Sequence, residues 1–122
     1  MADVRLSAAA EQDVVRLLVY TRERFGELAR LRYEALLTSG LQHIAADPER
    51  PGSLARPELG LGVRSYHLRH CRDQARISEG IVRRPRHLLL YRVTRPDVVG
   101  IGRILHDAMD LGRHTPEFYG DE

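Results

Sequence analysis

The sequence contains no lysine, no asparagine and no tryptophan, and it has one cysteine among its 122 residues. A lone cysteine, Cys71, forms no internal disulfide, so the sequence gives no indication of an oxidising compartment. The longest apolar run, residues 88–91, is far shorter than the roughly 18 residues that a membrane-spanning helix needs. The first residues also lack the basic start and apolar stretch of a signal peptide. We therefore expect a cytoplasmic protein that does not insert into membranes.

Because lysine is absent, all nineteen basic residues are arginines. A GC-rich genome explains this most simply, since lysine and asparagine codons are both rich in A and T. Selection for planar guanidinium groups that bind carboxylates or phosphates through two bonds is the functional alternative. The absence of asparagine favours the codon explanation, because phosphate binding gives no reason to lose that residue.

The distribution of charge along the chain is more informative than its net value of +2. Residues 1–53 hold seven arginines and eight acidic residues, residues 54–103 hold eleven and four, and residues 104–122 hold one and five. A nearly neutral total therefore conceals a middle region with a charge of +7. Such a region attracts an anionic partner, either nucleic acid or an acidic protein segment. A merely solvated basic face is equally compatible with the charge alone.

Two helices are predicted in the first part of the chain. Ser7 is a suitable N-cap for the first, and Gly26 is placed to end it. The second is expected from about Glu27 to Ala46, where Asp47-Pro48 stops it. The apolar positions that repeat at three- and four-residue steps predict the buried faces. They are Ala10, Val14, Leu17, Leu18 and Phe25 in the first helix, and Leu28, Leu31, Ala35, Leu37, Leu41 and Ile44 in the second.

Strands are predicted before and after this pair of helices. Residues 3–6 form a short candidate strand, and the proline- and glycine-rich residues 47–62 read as a connecting loop. Residues 63–71 and, more weakly, 74–82 are further candidates. Residues 87–94 and 98–105 are the strongest strands, and the turn at residues 95–97 joins them as an antiparallel hairpin. Residues 106–113 could add a short helical turn, and the acidic tail is expected to fray.

These elements predict an α+β fold in which an N-terminal antiparallel helical hairpin packs on one face of a small antiparallel β-sheet. We expect one domain over residues 1–122. Residues 1–47 would hold the short strand and the hairpin, residues 63–106 the sheet, and residues 107–122 the helical turn and the tail.

No enzyme signature stands out in the sequence. Gly60-Leu61-Gly62 lacks the remaining spacing of a phosphate-binding loop and precedes a strand instead of a helix. His67 and His70 are close in sequence, but in an extended strand they point to opposite faces, so we expect no metal site and no cofactor. Cys71 has no histidine fixed beside it and is expected to be a packing residue.

Basic residues spread over the predicted sheet are the candidates for chemistry. They are Arg64, Arg83, Arg84, Arg86, Arg103 and His106. Metal-free RNA cleavage needs a base, an acid and cations for the phosphorane charge, and histidine with arginine can supply all three. Their spacing alone favours the alternative, in which the arginines are surface charges or pair with an acidic partner and His106 caps a strand end.

Three segments, at residues 56–66, 87–93 and 103–110, resemble the ParE-type toxins of bacterial toxin–antitoxin modules. Residues 56–66 (RPELGLGVRSY) are similar to the loop and strand that follow the hairpin in that family, and residues 87–93 (HLLLYRV) to its next core strand. Residues 103–110 (RILHDAMD) resemble its closing segment. The loop at residues 47–52 (DPERPG) also fits, so the resemblance covers nearly the whole chain. One departure is an insertion of about a dozen residues, roughly 73–84, that carries three arginines.

The resemblance implies the RelE/ParE fold and a cytoplasmic toxin, in a plasmid-stabilisation type of module, that a co-expressed antitoxin neutralises. ParE-type members inhibit DNA gyrase, whereas RelE-type relatives cleave mRNA on the ribosome. Residues 103–110 favour the ParE side, so we expect a gyrase inhibitor that acts by protein binding and is not an enzyme. The alternatives are a ribosome-dependent mRNA endoribonuclease and a degenerate member that binds its antitoxin but inhibits nothing.

Site residues follow from these readings. An acidic segment of a ParD-like antitoxin is expected to dock on Arg64, Arg86 and Arg103, giving a hetero-oligomer. Contact with the gyrase target is expected at Arg103, His106 and Met109. In the ribonuclease alternative His106 is the acid or base, and Arg83 or Arg86 binds the phosphate. We expect no sequence-specific DNA binding by the toxin alone.

Overall fold

A computed structural model describes residues 1–122, and it contains two helices and five strands. The strands are β1 (Asp3–Leu6), β2 (Ser53–Ala55), β3 (Arg64–His67), β4 (His87–Arg95) and β5 (Val98–His106). The helices are α1 (Ala8–Phe25) and α2 (Glu27–Ala46). Short 3₁₀ helices occupy Pro57–Leu59, Leu68–Cys71 and Leu111–Arg113. The predicted α+β architecture, a helical hairpin on a small sheet, is confirmed.

The helical hairpin forms where the sequence predicts it. The Ser7 hydroxyl accepts a hydrogen bond from the backbone N–H of Ala10 at 3.0 Å, which satisfies one free donor at the start of α1. Gly26 has a φ of 95°, a conformation that glycine adopts without strain, and it separates the two helices as a single residue. The chain therefore reverses within one residue, and α1 and α2 pack against each other.

The sheet is mixed, so the expectation of a purely antiparallel sheet is wrong at one edge. The strand order is β1-β5-β4-β3-β2, and β1 runs parallel to β5 with Asp3 opposite Val98 and Leu6 opposite Ile101. All other neighbours are antiparallel. The chain reaches the rest of the sheet from β1 only through the helical hairpin, and a long crossover of this kind allows parallel pairing where a tight turn does not.

The two faces of the sheet are both covered. Leu89 and Tyr91 of β4 point towards the helices and join the larger core cluster with Leu36, Ile44 and Ile101. Leu88 and Leu90 point the other way and pack in a smaller cluster with Val63, Leu105 and Tyr119. This alternation along β4 is the two-residue period of a strand that is buried on both faces.

The acidic tail covers the second face, contrary to the expectation that it frays. Tyr119 is 3% exposed and lies against Gly100 and Gly102 of β5, where the absence of a Cβ atom leaves room for the tail. The guanidinium carbon of Arg92 lies 4.7 Å from the centre of the Tyr119 ring. At the end of the tail, Glu122 accepts a hydrogen bond from the backbone N–H of Ala8 at 2.9 Å. Burial of one aromatic ring thus anchors the tail that composition alone assigns to the solvent.

Three further sequence expectations need correction. Residues 74–82 form no strand but a turn closed by an isolated Ile77–Gly80 bridge, because β2 and β4 already occupy both edges of β3. The strand predicted over residues 63–71 ends at His67, and the 3₁₀ helix that follows packs on α2 at Gly40. The loop predicted over residues 47–62 contains strand β2.

The predicted helix faces are correct except at the hairpin turn. Ala10, Leu17, Leu37 and Ile44 are buried, whereas Phe25 and Leu28, which flank Gly26, are exposed. Cys71 is fully buried as a packing residue, and burial raises the pKa of its thiol. The predicted helical turn within residues 106–113 is present at Leu111–Arg113. Neither α1 nor α2 has the length and hydrophobicity that a membrane crossing requires.

Candidate partner-binding cleft

A large cleft, here called the hairpin cleft, opens between the helical hairpin and the segment that precedes β4. Its volume is about 1410 Å³. One side is formed by α1 and α2, the opposite side by residues 76–86, and the base by the start of β4 and the end of β5. Part of the lining is apolar, contributed by Leu17, Ile81, Val82 and Ile104. The cleft is therefore an open groove with a partly apolar lining, of a kind that accommodates a segment of another chain.

The side of the cleft opposite the helices, here called the wall segment (residues 73–86), is held in place from two directions. The Arg32 guanidinium of α2 donates a hydrogen bond to the carbonyl of Glu79 at 3.0 Å. The Arg72 guanidinium donates to the carbonyl of Arg83, also at 3.0 Å. Ala75 is buried in the core, and Val82 packs against it. The wall segment is thus a fixed part of the surface, although it has no regular secondary structure.

The Asp107 carboxylate, directly after β5, contacts basic side chains from two other parts of the chain. Asp107 accepts hydrogen bonds from the Arg86 guanidinium at 2.9 and 3.0 Å, and its other oxygen lies 2.9 Å from Nε2 of His67. These contacts, chiefly the bonds from Arg86, hold the pKa of Asp107 well below its usual range. Asp107 is consequently ionised at neutral pH, and its charge neutralises that of the Arg86 guanidinium.

Next to this carboxylate, the rings of Tyr33, His87 and His106 pack edge to face in sequence at the base of the cleft. The Tyr33 hydroxyl lies 2.6 Å from Nδ1 of His87 and accepts the backbone N–H of Arg86 at 3.3 Å. The rings of His87 and His106 meet edge to face with centres 5.3 Å apart. Burial lowers the pKa of His87 to about 4 and raises that of Tyr33 to about 12. At neutral pH both groups are therefore uncharged, and the Tyr33 hydroxyl and Nδ1 of His87 share one hydrogen bond.

The half-buried His87 gives the fold a specific dependence on pH. The unfolded chain protonates His87 near pH 6.5 but the folded chain only near pH 4, so stability is complete above pH 6.5 and is lost as the pH falls towards 4. We expect this group to remove about 2 kcal/mol of unfolding free energy between pH 7 and pH 5. Urea unfolding at both pH values, compared with His87→Gln, measures the effect. An equal loss in that variant would contradict the assignment to His87.

An ion pair joins α1 to β5 on another side of the cleft. Asp13 accepts hydrogen bonds from Nε and Nη2 of Arg103 at 2.7 and 3.0 Å, and from the backbone N–H of Ile104 at 2.9 Å. Asp13 retains 9% of its side-chain exposure and Arg103 22%. Strand β1 ends opposite Ile101, so the Asp13 carboxylate satisfies a backbone donor on the edge of β5 that β1 no longer covers.

The structure brings most of the residues singled out from the sequence into one place. Arg83, Arg86, Arg103, His106 and Met109 all line the hairpin cleft. Arg64 does not; its guanidinium donates to the Ser53 hydroxyl at 2.8 Å on the β2–β3 side of the sheet. Their roles in binding stay predictions.

Several residues of the cleft were not found from the sequence. Tyr33 and His87 are 54 positions apart, and nothing in the local pattern connects them. Asp107 lies beside the cleft and directly follows His106 in the RILHDAMD segment. This proximity to a candidate histidine is the one feature of the sequence that could have indicated its importance. The cleft also contains Arg16, Arg32 and Arg76, which belong to α1, α2 and the wall segment.

The arginines of the cleft divide into two groups. Arg86 and Arg103 are paired with Asp107 and Asp13. The other five make no ion pair with a carboxylate, and they are Arg16, Arg32, Arg76, Arg83 and Arg84. Unpaired cations beside an apolar base give the cleft an affinity for a ligand that is both anionic and apolar.

A helical hairpin placed on one face of a mixed five-stranded sheet is the architecture of the RelE/ParE-like proteins, and that is the class this fold defines. The model for the family described as the ParE toxin of the type II toxin–antitoxin system, parDE, matches residues 4–111. The chain therefore belongs to the ParE toxin family. No curated protein gives a significant match.

Proposed function

We propose that this toxin inhibits DNA gyrase by binding it and that a cognate, ParD-like antitoxin neutralises the toxin in a hetero-oligomeric complex in the cytoplasm. Membership of the ParE family gives the toxin role and implies an antitoxin partner in a type II system. The observation that carries the choice of binding over catalysis is the Asp107 contact, because it occupies the guanidinium of Arg86 next to His106.

The surroundings of Arg86 and His106 also favour binding. The Asp107 carboxylate accepts hydrogen bonds from Nε and Nη2 of Arg86, and its negative charge weakens the attraction of this guanidinium for a phosphate. On His106, Nδ1 already accepts the backbone N–H of Ala108 at 3.0 Å, and His87 beside it is uncharged at neutral pH. Around Arg86 and His106, an acid, a base and an unpaired cation are therefore not presented together, as metal-free RNA cleavage requires. Met109 at the rim is 45% exposed, and an accessible methionine of this kind suits a protein interface.

The proposal is tested with purified toxin and purified gyrase in a DNA supercoiling assay. We expect inhibition by the toxin and full recovery when the antitoxin is added first. Met109→Ala is expected to raise the toxin concentration for half inhibition about tenfold, since truncation of an interface anchor costs about 1–2 kcal/mol. Val93→Ala is the matched control, because Val93 is similarly exposed (48%) but does not line the cleft. Undiminished supercoiling at a large excess of folded toxin would contradict gyrase inhibition.

The antitoxin contacts proposed from the sequence can be ranked by geometry. Arg86 keeps 57% of its side chain exposed although it is paired with Asp107, so it can accept a second carboxylate. Arg64 and Arg103 each keep 22% and are held by Ser53 and Asp13. Among these three residues, Arg86 is therefore the first candidate for contact with the antitoxin.

One observation favours the ribonuclease alternative: His106, Arg83 and Arg86 line the same cleft. Toxin incubated with translating ribosomes would then produce new mRNA 3′ ends, and His106→Gln would abolish them. Expression of the toxin without antitoxin separates the targets in cells. Filamentation with a DNA damage response supports gyrase, abrupt loss of translation with cleaved transcripts supports mRNA, and unaffected growth indicates a degenerate toxin.

A further inference from the structure

The five unpaired arginines of the hairpin cleft are not evenly distributed. Arg76, Arg83 and Arg84 belong to the wall segment, Arg32 anchors that segment, and Arg16 projects from α1 on the opposite side. The only carboxylate that the wall segment contributes to the cleft lining is Glu79. The wall segment is thus the most strongly positive part of the groove, and it lies across from an apolar surface.

The helical side of the cleft carries, besides Arg16 and Arg32, a large apolar surface. Leu17 contributes to its base, and Tyr20 and Phe25 line it with rings in edge-to-face contact and centres 6.4 Å apart. Tyr20 is 52% exposed and Phe25 is 68% exposed, so a large aromatic surface of the cleft is open to solvent. A partner that covers these rings removes apolar surface from water, which favours a ligand with large apolar side chains.

From this asymmetry we infer that the wall segment selects the antitoxin: it binds the acidic side of an amphipathic antitoxin segment whose apolar side lies on Tyr20, Phe25 and Leu17. This inference rests on the proposed neutralisation by an antitoxin and adds where and by what chemistry the antitoxin is recognised. The inference also assigns the main charge contacts to the unpaired arginines of the wall segment. Arg64 and Arg103, which were expected from the sequence, already bond to Ser53 and Asp13.

The geometry favours a peptide over a nucleic acid in this cleft. Ile81 and Val82 of the wall segment and Ile104 of the base are aliphatic and offer no flat surface on which bases stack, and the exposed rings of Tyr20 and Phe25 lie on the helical side. Arg32 and Arg72 hold the wall segment in one conformation, so a partner does not have to supply the free energy of ordering it. The cations are therefore presented at fixed positions, which favours a partner with carboxylates at matching spacing.

The test measures binding of the full-length toxin to the antitoxin encoded beside its gene. Arg83→Glu/Arg84→Glu is expected to weaken the complex at least about tenfold, mainly through a slower association rate, because charges at an interface rim act chiefly on encounter. Glu79→Gln removes the only carboxylate that the wall segment contributes to the cleft lining, and it is expected to leave binding unchanged or to tighten it. A variant that merely disturbed the fold would not bind more tightly.

Arg69→Glu/Arg95→Glu is the matched control, because it makes the same change in net charge at exposed positions outside the cleft. We expect it to alter the dissociation constant less than threefold. Equal weakening by both double variants, or no weakening by Arg83→Glu/Arg84→Glu, would overturn the inference. Thermal unfolding of each variant shows that the fold is retained.

Two other outcomes separate this inference from the proposed function. If the wild-type toxin does not bind the antitoxin, neutralisation itself fails. A 12-nucleotide single-stranded RNA serves as the second probe. RNA binding that Arg83→Glu/Arg84→Glu abolishes, while antitoxin binding is retained, would assign the cleft to nucleic acid and overturn the inference alone.

Discussion

Replacing Asp13 with alanine is expected to destabilise the protein by about 3–5 kcal/mol, the range for breaking a largely buried ion pair by removing one partner. The substitution removes two hydrogen bonds from the Arg103 guanidinium and one from the backbone N–H of Ile104. Both donors are then left without the carboxylate, in a site that is mostly shielded from water. For a domain of this size we expect the melting temperature to fall by roughly 10 °C or more.

Two comparisons decide whether the Asp13 contact is responsible. Glu23→Ala removes an exposed carboxylate from the same helix that makes no ion pair, and it should change the unfolding free energy by less than about 0.5 kcal/mol. In a double-mutant cycle, Asp13→Leu/Arg103→Met should be more stable than Asp13→Ala, because it leaves no unpaired charge. Additive losses from the single Asp13 and Arg103 variants in urea unfolding would contradict a direct interaction.

Gly100→Ala is expected to cost about 3 kcal/mol, at the upper end of the usual range for overpacking, and to detach the tail from the sheet. A Cβ atom at position 100 would lie 1.8 Å from the carbonyl oxygen of Tyr119 and 2.9 Å from Cγ2 of Thr94. The Tyr119 oxygen belongs to the backbone, so no change of side-chain rotamer relieves the contact. Displacement of Tyr119 would expose the smaller core cluster, including Leu90 and Leu105.

Limited proteolysis and amide hydrogen exchange of residues 111–122 measure this detachment. We expect rapid cleavage and exchange of the tail in Gly100→Ala, while the helices remain protected. Gly112→Ala is the control, since the nearest atom to its new Cβ would be at an ordinary 3.5 Å and its φ is not positive. A tail that stays protected in Gly100→Ala would show that the sheet face can accommodate the extra methyl group.

The helical hairpin was predictable to the residue because all of its signals are local. Ser7 and Gly26 mark the helix ends, and Asp47-Pro48 stops α2 by restricting the backbone of the residue before proline. The error at Phe25 and Leu28 has a different cause. Helical periodicity shows which residues share a face but not how far the rest of the protein extends beneath it, and the residues around the Gly26 turn are not covered.

Strand pairing was predictable only where a tight turn determines it. Strands β4 and β5 are joined by a short turn, so both their existence and their antiparallel orientation follow from the sequence. The parallel pairing of β1, the short β2 and the turn structure of residues 74–82 depend on which sheet edges are free, which is a property of the whole fold. The burial of Tyr119 likewise depends on two glycines of β5 that are distant in sequence.

The candidate site was predictable as a collection of charges but not as an arrangement. The +7 middle region and the insertion pointed to arginines near Arg83 and Arg86, and these do line the cleft. Which arginines are free could not be predicted, because Asp13 and Arg103 are 90 residues apart and meet only in the folded chain. Pairing with internal carboxylates reduces the number of cations available to a partner, and only the structure shows where it occurs.

The parallel pairing of β1 with β5 also determines when during translation the toxin is completed. The Ser7 hydroxyl donates a hydrogen bond to the carbonyl of Gly102, 95 residues later. The backbone groups of β1 therefore find their hydrogen-bonding partners only after β5 has been synthesised. The helical hairpin, whose contacts are local, can form on the nascent chain much earlier. Chains interrupted before β5 lack the hydrogen-bonding partner of β1 and the end of β5 at the base of the cleft. The complete cleft can therefore form only after the chain has been translated through β5.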